Sequence, residues 1–203
     1  VTGANKGIGY AIVRSLCQQY DGNVYLTARD VTRGLNAVSE LEKQGLKPKF
    51  HQLDISDDES VTKFRDYLKN TYGGLDVLIN NAAIKFNDDA VSFVTQAEET
   101  IRVNYFNLRK VCTAFYPLLR PHARVVHVFS SAGRLCNITG AGIHQSMFNV
   151  DSRKDITVNA VHPGHVDTDM INHKGPLTPD EGAVAPVYCA LLPENTEIKG
   201  KYI

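Results

Sequence analysis

Short apolar runs alternate with stretches of helical period along most of this chain. Ile8, Ile12, Leu16 and Tyr20 recur at intervals of four and give one apolar face to a helix that opens at the glycines before it. Asn23 to Ala28 reads as a buried strand, Val31 to Gln44 as a helix ended by Gly45, and Lys49 to Leu53 as a strand closed by Asp54. Ser56-Asp57-Asp58-Glu59 has the form of a capping box, with Ser56 as the cap and Glu59 reaching back. Behind it Val61, Phe64 and Leu68 share a helix face, and Gly73-Gly74 stops that helix. Val77 to Ile79 is the next strand and runs into Asn80-Asn81-Ala82-Ala83. A long helix is predicted from Gln96 to Leu119, with Leu108, Val111, Phe115 and Leu118 inward; Pro117 falls near its end, where a lost donor does least harm. Arg124 to Phe129 and Ile156 to Val161 read as strands, the second stopped by His162-Pro163-Gly164, and Pro179 to Leu192 as a last helix.

Strand–helix alternation of this kind predicts an α/β fold, a Rossmann-like doubly wound parallel sheet with helices on both faces. No repeat, low-complexity tract or linker divides the chain, so residues 1–203 read as one domain. In such sheets ligands sit beyond the carboxyl ends of the strands. Asp54, Asn80-Asn81, Ser130-Ser131 and Pro163-Gly164 each come after a predicted strand and therefore converge on one edge. The chain opens at that edge with Val1-Thr2-Gly3-Ala4-Asn5-Lys6-Gly7-Ile8-Gly9. A glycine turn leading into a helix lets backbone N–H groups approach a phosphate, where the helix dipole also favours negative charge. Its spacing is Gly-x-x-x-Gly-x-Gly rather than the common Gly-x-Gly-x-x-Gly.

Composition narrows the classes of partner. The 22 Lys and Arg balance 22 Asp and Glu, so no basic field argues for nucleic acid or an anionic membrane surface. No apolar run reaches the roughly 20 residues of a membrane span, and no secretory signal is visible. Cys17, Cys112, Cys136 and Cys189 have neither Cys-x-x-Cys nor zinc-type spacing, which reads as reduced thiols and a cytoplasmic protein. His162 and His165 are separated by Pro163-Gly164 and read as part of a turn, so no metal site is expected. Val1 stands where a strand is already under way, which leaves a truncated first strand and suggests a trimmed or processed chain.

In order along the chain, Thr2-Gly3-x-x-x-Gly7-x-Gly9, Leu26-Thr27-Ala28-Arg29-Asp30, Leu53-Asp54-Ile55, Asn80-Asn81-Ala82, Val103-Asn104, Ser130-Ser131 and Pro163-Gly164-x-Val166-x-Thr168 resemble the short-chain dehydrogenase/reductase family. The resemblance is closest to its cytosolic NADPH-dependent carbonyl reductases, which reduce aldehydes, ketones or quinones. It implies that the turn Gly3, Asn5, Lys6, Gly7, Ile8 and Gly9 holds the cofactor pyrophosphate, and that Asp54 with Ile55 holds the adenine. Asn81 and Ala82 would lie along the ribose, with Ala83 in place of the usual glycine, and Pro163, Gly164, Val166 and Thr168 would border the nicotinamide. By spacing alone Asp30 could meet a ribose 2′-hydroxyl, as in NAD sites. The family position is Ala28, however, and Lys6, Arg29 and Arg33 can surround a 2′-phosphate, which favours NADP(H).

The resemblance also implies a serine that orients the carbonyl, an asparagine in a proton relay, and a tyrosine with a lysine four residues later. Ser131 and Asn104 fit the first two roles. No tyrosine of this chain has a lysine at the fourth position after it. The span from Phe129 to Ile156 leaves room for a crossover of little more than the minimum, and Ala141-Gly142-Ile143-His144-Gln145 looks like the stretch directly after the missing lysine. A segment ending in Tyr-x-x-x-Lys is therefore expected to be absent near Thr139-Gly140. His144 is the alternative proton donor, although that alignment puts it outside the site. Three readings are open: a carbonyl reductase lacking part of its site, an NADPH-binding protein without turnover, or a truncation product that folds poorly. Since the crossover helix is curtailed, a monomer is expected rather than a dimer.

Overall fold

Apolar side chains recurring at helical period need a sheet to cover, and inner strands such as Thr157–Val161, buried at every position, provide it. A computed structural model describes residues 1–86, 90–130 and 153–203 of the chain. Among these, five helices and five strands alternate up to the last crossover: α1 (Gly7–Gln19), β1 (Tyr25–Ala28), α2 (Val31–Lys43), β2 (Lys49–Gln52), α3 (Asp58–Tyr72), β3 (Leu75–Asn80), α4 (Phe93–Ile101), α5 (Leu108–Phe115), β4 (Leu119–Val128) and β5 (Thr157–Val161). A sixth helix, α6 (Pro179–Ala190), comes after them.

All strand pairs are parallel. β1 pairs with β2, and β3 with β4 with β5. Val1 to Ala4 joins the two groups: Thr27 N donates to Val1 O at 3.2 Å, Ala4 N to Thr27 O at 2.9 Å, and Thr2 N to Ile79 O at 3.0 Å. On the far edge Lys201 to Ile203 runs beside β5, with Ala160 N donating to Lys201 O at 2.8 Å and Ile203 N to Ala160 O at 2.9 Å. The resulting order is β2, β1, residues 1–4, β3, β4, β5, residues 201–203, which is the doubly wound arrangement expected. The short opening segment thus lies inside the sheet, bridging β1 and β3. Below Val1, an apolar cavity of about 80 Å³ lies between β1 and β3, lined among others by Val24, Tyr25, Phe64 and Val77.

The core has two halves, one on each face. Ile12, Val13 and Leu16 of α1, Val38 and Leu41 of α2, and Ala183 and Val187 of α6 pack on one face. Val61, Phe64 and Leu68 of α3 meet Val111 and Phe115 of α5 on the other. Burying a side chain of this size contributes roughly 1.5–3 kcal/mol, so these faces dominate the stability of the sheet.

Several expectations are corrected in detail. The cap of α3 is Asp57, whose carboxylate accepts from Glu59 N at 2.9 Å, and not Ser56. Ser56 is drawn away because its hydroxyl accepts from Asn107 Nδ2 at 3.0 Å. The long helix expected from Gln96 to Leu119 begins earlier and is interrupted. A π-helical stretch, Arg102–Asn107, separates α4 from α5, and Pro117 sits in a final 3₁₀ turn, Tyr116–Leu118, where Leu118 is half-buried. β4 begins with an irregularity: its register against β3 breaks between Leu75 and Val77, and His122 adopts φ 64° beside Pro121. The regular pairing starts at Arg124, where the sequence places the strand.

Candidate functional site

Among the described residues, Arg29, Asp54, Asn81 and Pro163 follow the carboxyl ends of parallel strands and so share one edge with the glycine turn. Gly3 and Gly7 adopt φ 62° and 57°, left-handed conformations that favour glycine. At Gly9 the constraint is space, because a Cβ there would lie 2.5 Å from Asn81 Nδ2 and 2.7 Å from Gly3 O. Gly3 likewise packs on Ala82, whose Cα would be 2.9 Å from an added Cβ.

Thr2 and Asn81 tie the turn to β3. The Thr2 hydroxyl accepts from Asn81 N and Ala82 N, both at 3.0 Å, while Asn81 Nδ2 donates to Thr2 O at 3.0 Å and Gly3 O at 3.1 Å. The side chain of Asn81 therefore shapes the turn itself. Thr2 matched the motif, yet its role as the acceptor for two backbone donors carries no local sequence signal, since its partners lie some 80 positions away.

Helix α1 starts within this turn. Its cap, Lys6, makes no side-chain hydrogen bond to the first turn, and that turn carries no acidic residue. The helix thus presents backbone donors and its positive dipole end to the edge, a setting suited to an anion. Lys6, Arg29 and Arg33 are exposed. Arg29 comes directly after β1, and Arg33 lies in the first turn of α2. Asp30 is engaged as the cap of α2, accepting from Arg33 N at 2.8 Å, with Arg33 Nε 3.9 Å from its other oxygen. That structural role accounts for the aspartate without a ribose contact.

On one flank, Asp54 accepts from Ser56 N at 2.8 Å, its own N–H donates to the Ser60 hydroxyl at 2.9 Å, and Ile55 is buried. Beyond β3, Asn104 is bonded twice to one residue: Ile84 N donates to Asn104 Oδ1 at 2.9 Å, and Asn104 Nδ2 donates to Ile84 O at 2.7 Å. It lies in the π-helical stretch, a distortion frequent at functional sites, and it anchors the segment that carries Ala82 and Ala83. On the other flank, Gly164 at φ 85° packs against Leu177, Val166 is buried, and the methyl of Thr168 would be 3.4 Å from a Cβ on Gly7. The loop after β5 therefore closes directly onto the glycine turn.

That closure carries residues the sequence reasoning missed. Lys6 Nζ is 2.5 Å from Asp169 Oδ2, and Asp169 also meets His173. The Lys6 ammonium holds the Asp169 carboxyl below its usual range, with His173 adding to the effect. Ser131 and His144, together with Thr139 and Gly140, lie outside the described residues, as does Cys136. Cys17, Cys112 and Cys189 are free thiols. Among the described residues no group of three His, Cys, Asp or Glu could hold a metal, and no helix is long and apolar enough to cross a membrane.

Behind the edge, a buried polar group joins β3, β4 and α5. His127 Nδ1 is 3.3 Å from Asn80 Nδ2, its Nε2 is 3.4 Å from the Tyr116 hydroxyl, and Asn80 Nδ2 is 3.7 Å from Cys112 Sγ. Burial pushes the His127 imidazole down to about 4, so the ring is neutral near pH 7. A neutral ring accepts the Asn80 amide at Nδ1 and donates from Nε2 to Tyr116.

Comparison with known proteins agrees with this architecture. The short chain dehydrogenase family model matches residues 1–177, and the chain belongs to that family. Carbonyl reductase (NADPH) 1 of Homo sapiens is 41% identical over 253 residues, covering 97% of this chain and 91% of that protein. That alignment is longer than the 203-residue chain itself, so the relative carries residues with no counterpart here. Salutaridine reductase from Papaver somniferum superposes with a TM-score of 0.85 at 25% identity, covering 99% of this chain and 97% of that one. A short chain dehydrogenase from Burkholderia cenocepacia, solved in complex with NADP, gives 0.80 at 27% identity, covering 100% and 93%.

Proposed function

We propose that this chain binds NADP(H) at the edge formed by the glycine turn, and that the site serves reduction of a small carbonyl compound, an aldehyde, ketone or quinone. The observation that carries the proposal is the uncapped N-terminus of α1, set in a turn where Gly3 and Gly9 leave no room for a Cβ and flanked by Lys6, Arg29 and Arg33. The donors of the first helical turn and the three cations fit a group with a pyrophosphate and a further phosphate. The names of the carbonyl reductase relatives, and the NADP complex among the similar structures, support the same reading. Bound there, NADPH would supply the hydride. Gly3, Gly7 and Gly9 with the backbone of Asn5, Lys6 and Ile8 would hold its phosphates, and Asp54 with Ile55 its adenine. Asn81, Ala82 and Ala83 would border its ribose, and Pro163, Gly164, Val166 and Thr168 its nicotinamide. Asn104 would serve a proton relay, and Ser131 would orient the carbonyl. The partner is a small molecule, and the chain acts as a soluble cytoplasmic monomer.

A second reading, binding without turnover, is favoured by one specific observation: no Tyr-x-x-x-Lys pair exists anywhere in the sequence. A positioned general acid is worth about 10²–10⁴ in rate, and the lysine that would lower its pKa is missing with it. NADPH consumption measured with an aromatic aldehyde and with a quinone separates the two. Turnover at an ordinary rate for an enzyme, on the order of 10 s⁻¹, would select the first reading. Saturable NADPH binding with turnover at least a hundredfold slower would select the second. For cofactor choice, Arg29→Asp is expected to weaken NADPH at least tenfold while changing NADH little; equal losses for both would remove Arg29 from a 2′-phosphate site.

A further inference from the structure

The loop that closes on the glycine turn carries a charge network of its own. Asp169 bridges two cations, with Oδ2 at 2.5 Å from Lys6 Nζ and Oδ1 at 2.9 Å from His173 Nε2. The other ring nitrogen of His173, Nδ1, is 2.9 Å from Asp167 Oδ1. An ionised carboxylate only accepts, so both ring nitrogens must donate, and only the imidazolium has two N–H groups. The arrangement is therefore built around a charged histidine.

The backbone holds this geometry in a conformation uncommon for side-chain-bearing residues: Asn172 and His173 are both left-handed, at φ 52° and 56°. Two amides fix the turn, with Asn172 N donating to Asp169 O at 3.1 Å and His173 N to Thr168 O at 3.0 Å. The charged groups acting on the ring are Asp167 and Asp169 from its own loop. Lys6, from the glycine turn, reaches it through Asp169, while Asp180 of α6 is paired with Arg14.

We propose that Asp169 occupies Lys6 while the cradle holds no cofactor, and that the charge on His173 governs how readily that lysine is released to a phosphate of NADP(H). The proposal rests on the cofactor reading above. A charged His173 neutralises Asp167 and shares Asp169, so an incoming phosphate meets Lys6 with little opposing charge. Once His173 is neutral, the ring's charge no longer offsets either carboxylate, and Asp169 competes fully for Lys6. Both carboxylates favour the charged ring, Asp167 most, and raise its pKa above the ordinary histidine value of 6.5. Affinity is therefore highest below that ordinary value and falls as pH rises through the raised one. All three groups are largely exposed, so the effect is modest, about threefold to tenfold for the two pairs together.

The test is fluorescence titration of the full chain with NADPH from pH 6 to pH 9, in parallel for the unmodified protein, His173→Gln and Asp169→Asn, with the His173 ring protons followed by NMR without cofactor. The unmodified protein should weaken threefold to tenfold across the titration seen by NMR. His173→Gln should be flat over that interval and bind at the weaker limit, and Asp169→Asn should bind more tightly at high pH with a shallower slope. The cofactor's own 2′-phosphate ionises near pH 6 and contributes equally to all three proteins. Superimposable profiles for the unmodified protein and His173→Gln, or weaker binding by Asp169→Asn, would overturn this inference alone. Absence of saturable binding in every protein at every pH would overturn the cofactor reading and this inference together.

Discussion

Gly9 shows how one absent side chain shapes the cradle. An added methyl would meet Asn81 Nδ2 at 2.5 Å and the Gly3 carbonyl at 2.7 Å, and the second of these is backbone that cannot move aside. Asn81 would have to release Thr2 O and Gly3 O, which its amide bonds at 3.0 and 3.1 Å. Gly9→Ala is expected to destabilise the protein by about 1–3 kcal/mol in urea unfolding and to weaken NADPH binding more than tenfold. Unchanged binding would show that the turn can reshape around a methyl. The glycines were legible in the sequence because their spacing is local. Lys6 with Asp169 was not, since an ion pair spanning 163 positions has no signature in either segment. The same holds for His173, whose two carboxylate partners look like ordinary charges of a solvated loop.

Helices were legible where a buried face recurs at constant period, as with Val61, Phe64 and Leu68 of α3, which are all buried. They were less legible where hydrogen bonding changes within a helix. The π-helical stretch Arg102–Asn107 keeps Val103 and Asn107 buried, and nothing in the residue pattern marks the change in backbone pairing. At the start of α3, Ser56 and Asp57 are both good caps, and the choice was made from outside by Asn107, which takes Ser56 as its acceptor. Asp57→Ala should therefore cost about 1 kcal/mol, within the 0.5–2 kcal/mol range for a lost cap, measured by urea unfolding. A loss well below 0.5 kcal/mol would return the capping role to Ser56.

At the scale of the molecule, the order of layers came from strand–helix alternation, while the sheet's integrity depends on contacts that alternation does not reveal. Residues 1–4 join β1 to β3, and residues 201–203 extend the far edge. His127 lies inside this sheet and makes stability pH-dependent. Its folded-state value of about 4 is below the ordinary 6.5, so the unfolded chain takes up the proton first as pH falls. Stability from this group is full above pH 6.5 and declines between there and about pH 4. Urea unfolding at pH 7 and pH 5 should show that decline, and His127→Leu should have a shallower pH dependence even though it leaves Asn80 and Tyr116 without their ring partner. Equal slopes for the two proteins would assign acid sensitivity to other groups.

On the proposed reading, cofactor binding at the glycine turn is separate from the proton transfer that a Tyr-x-x-x-Lys pair, absent from this sequence, would serve. Fluorescence titration of the unmodified chain with NADPH and with NADH at pH 7 probes that separation without relying on turnover. Saturable binding of NADPH is expected, with at least tenfold weaker binding of NADH, even where no carbonyl substrate is reduced. Equal affinity for the two cofactors, or no saturable binding of either, would contradict it.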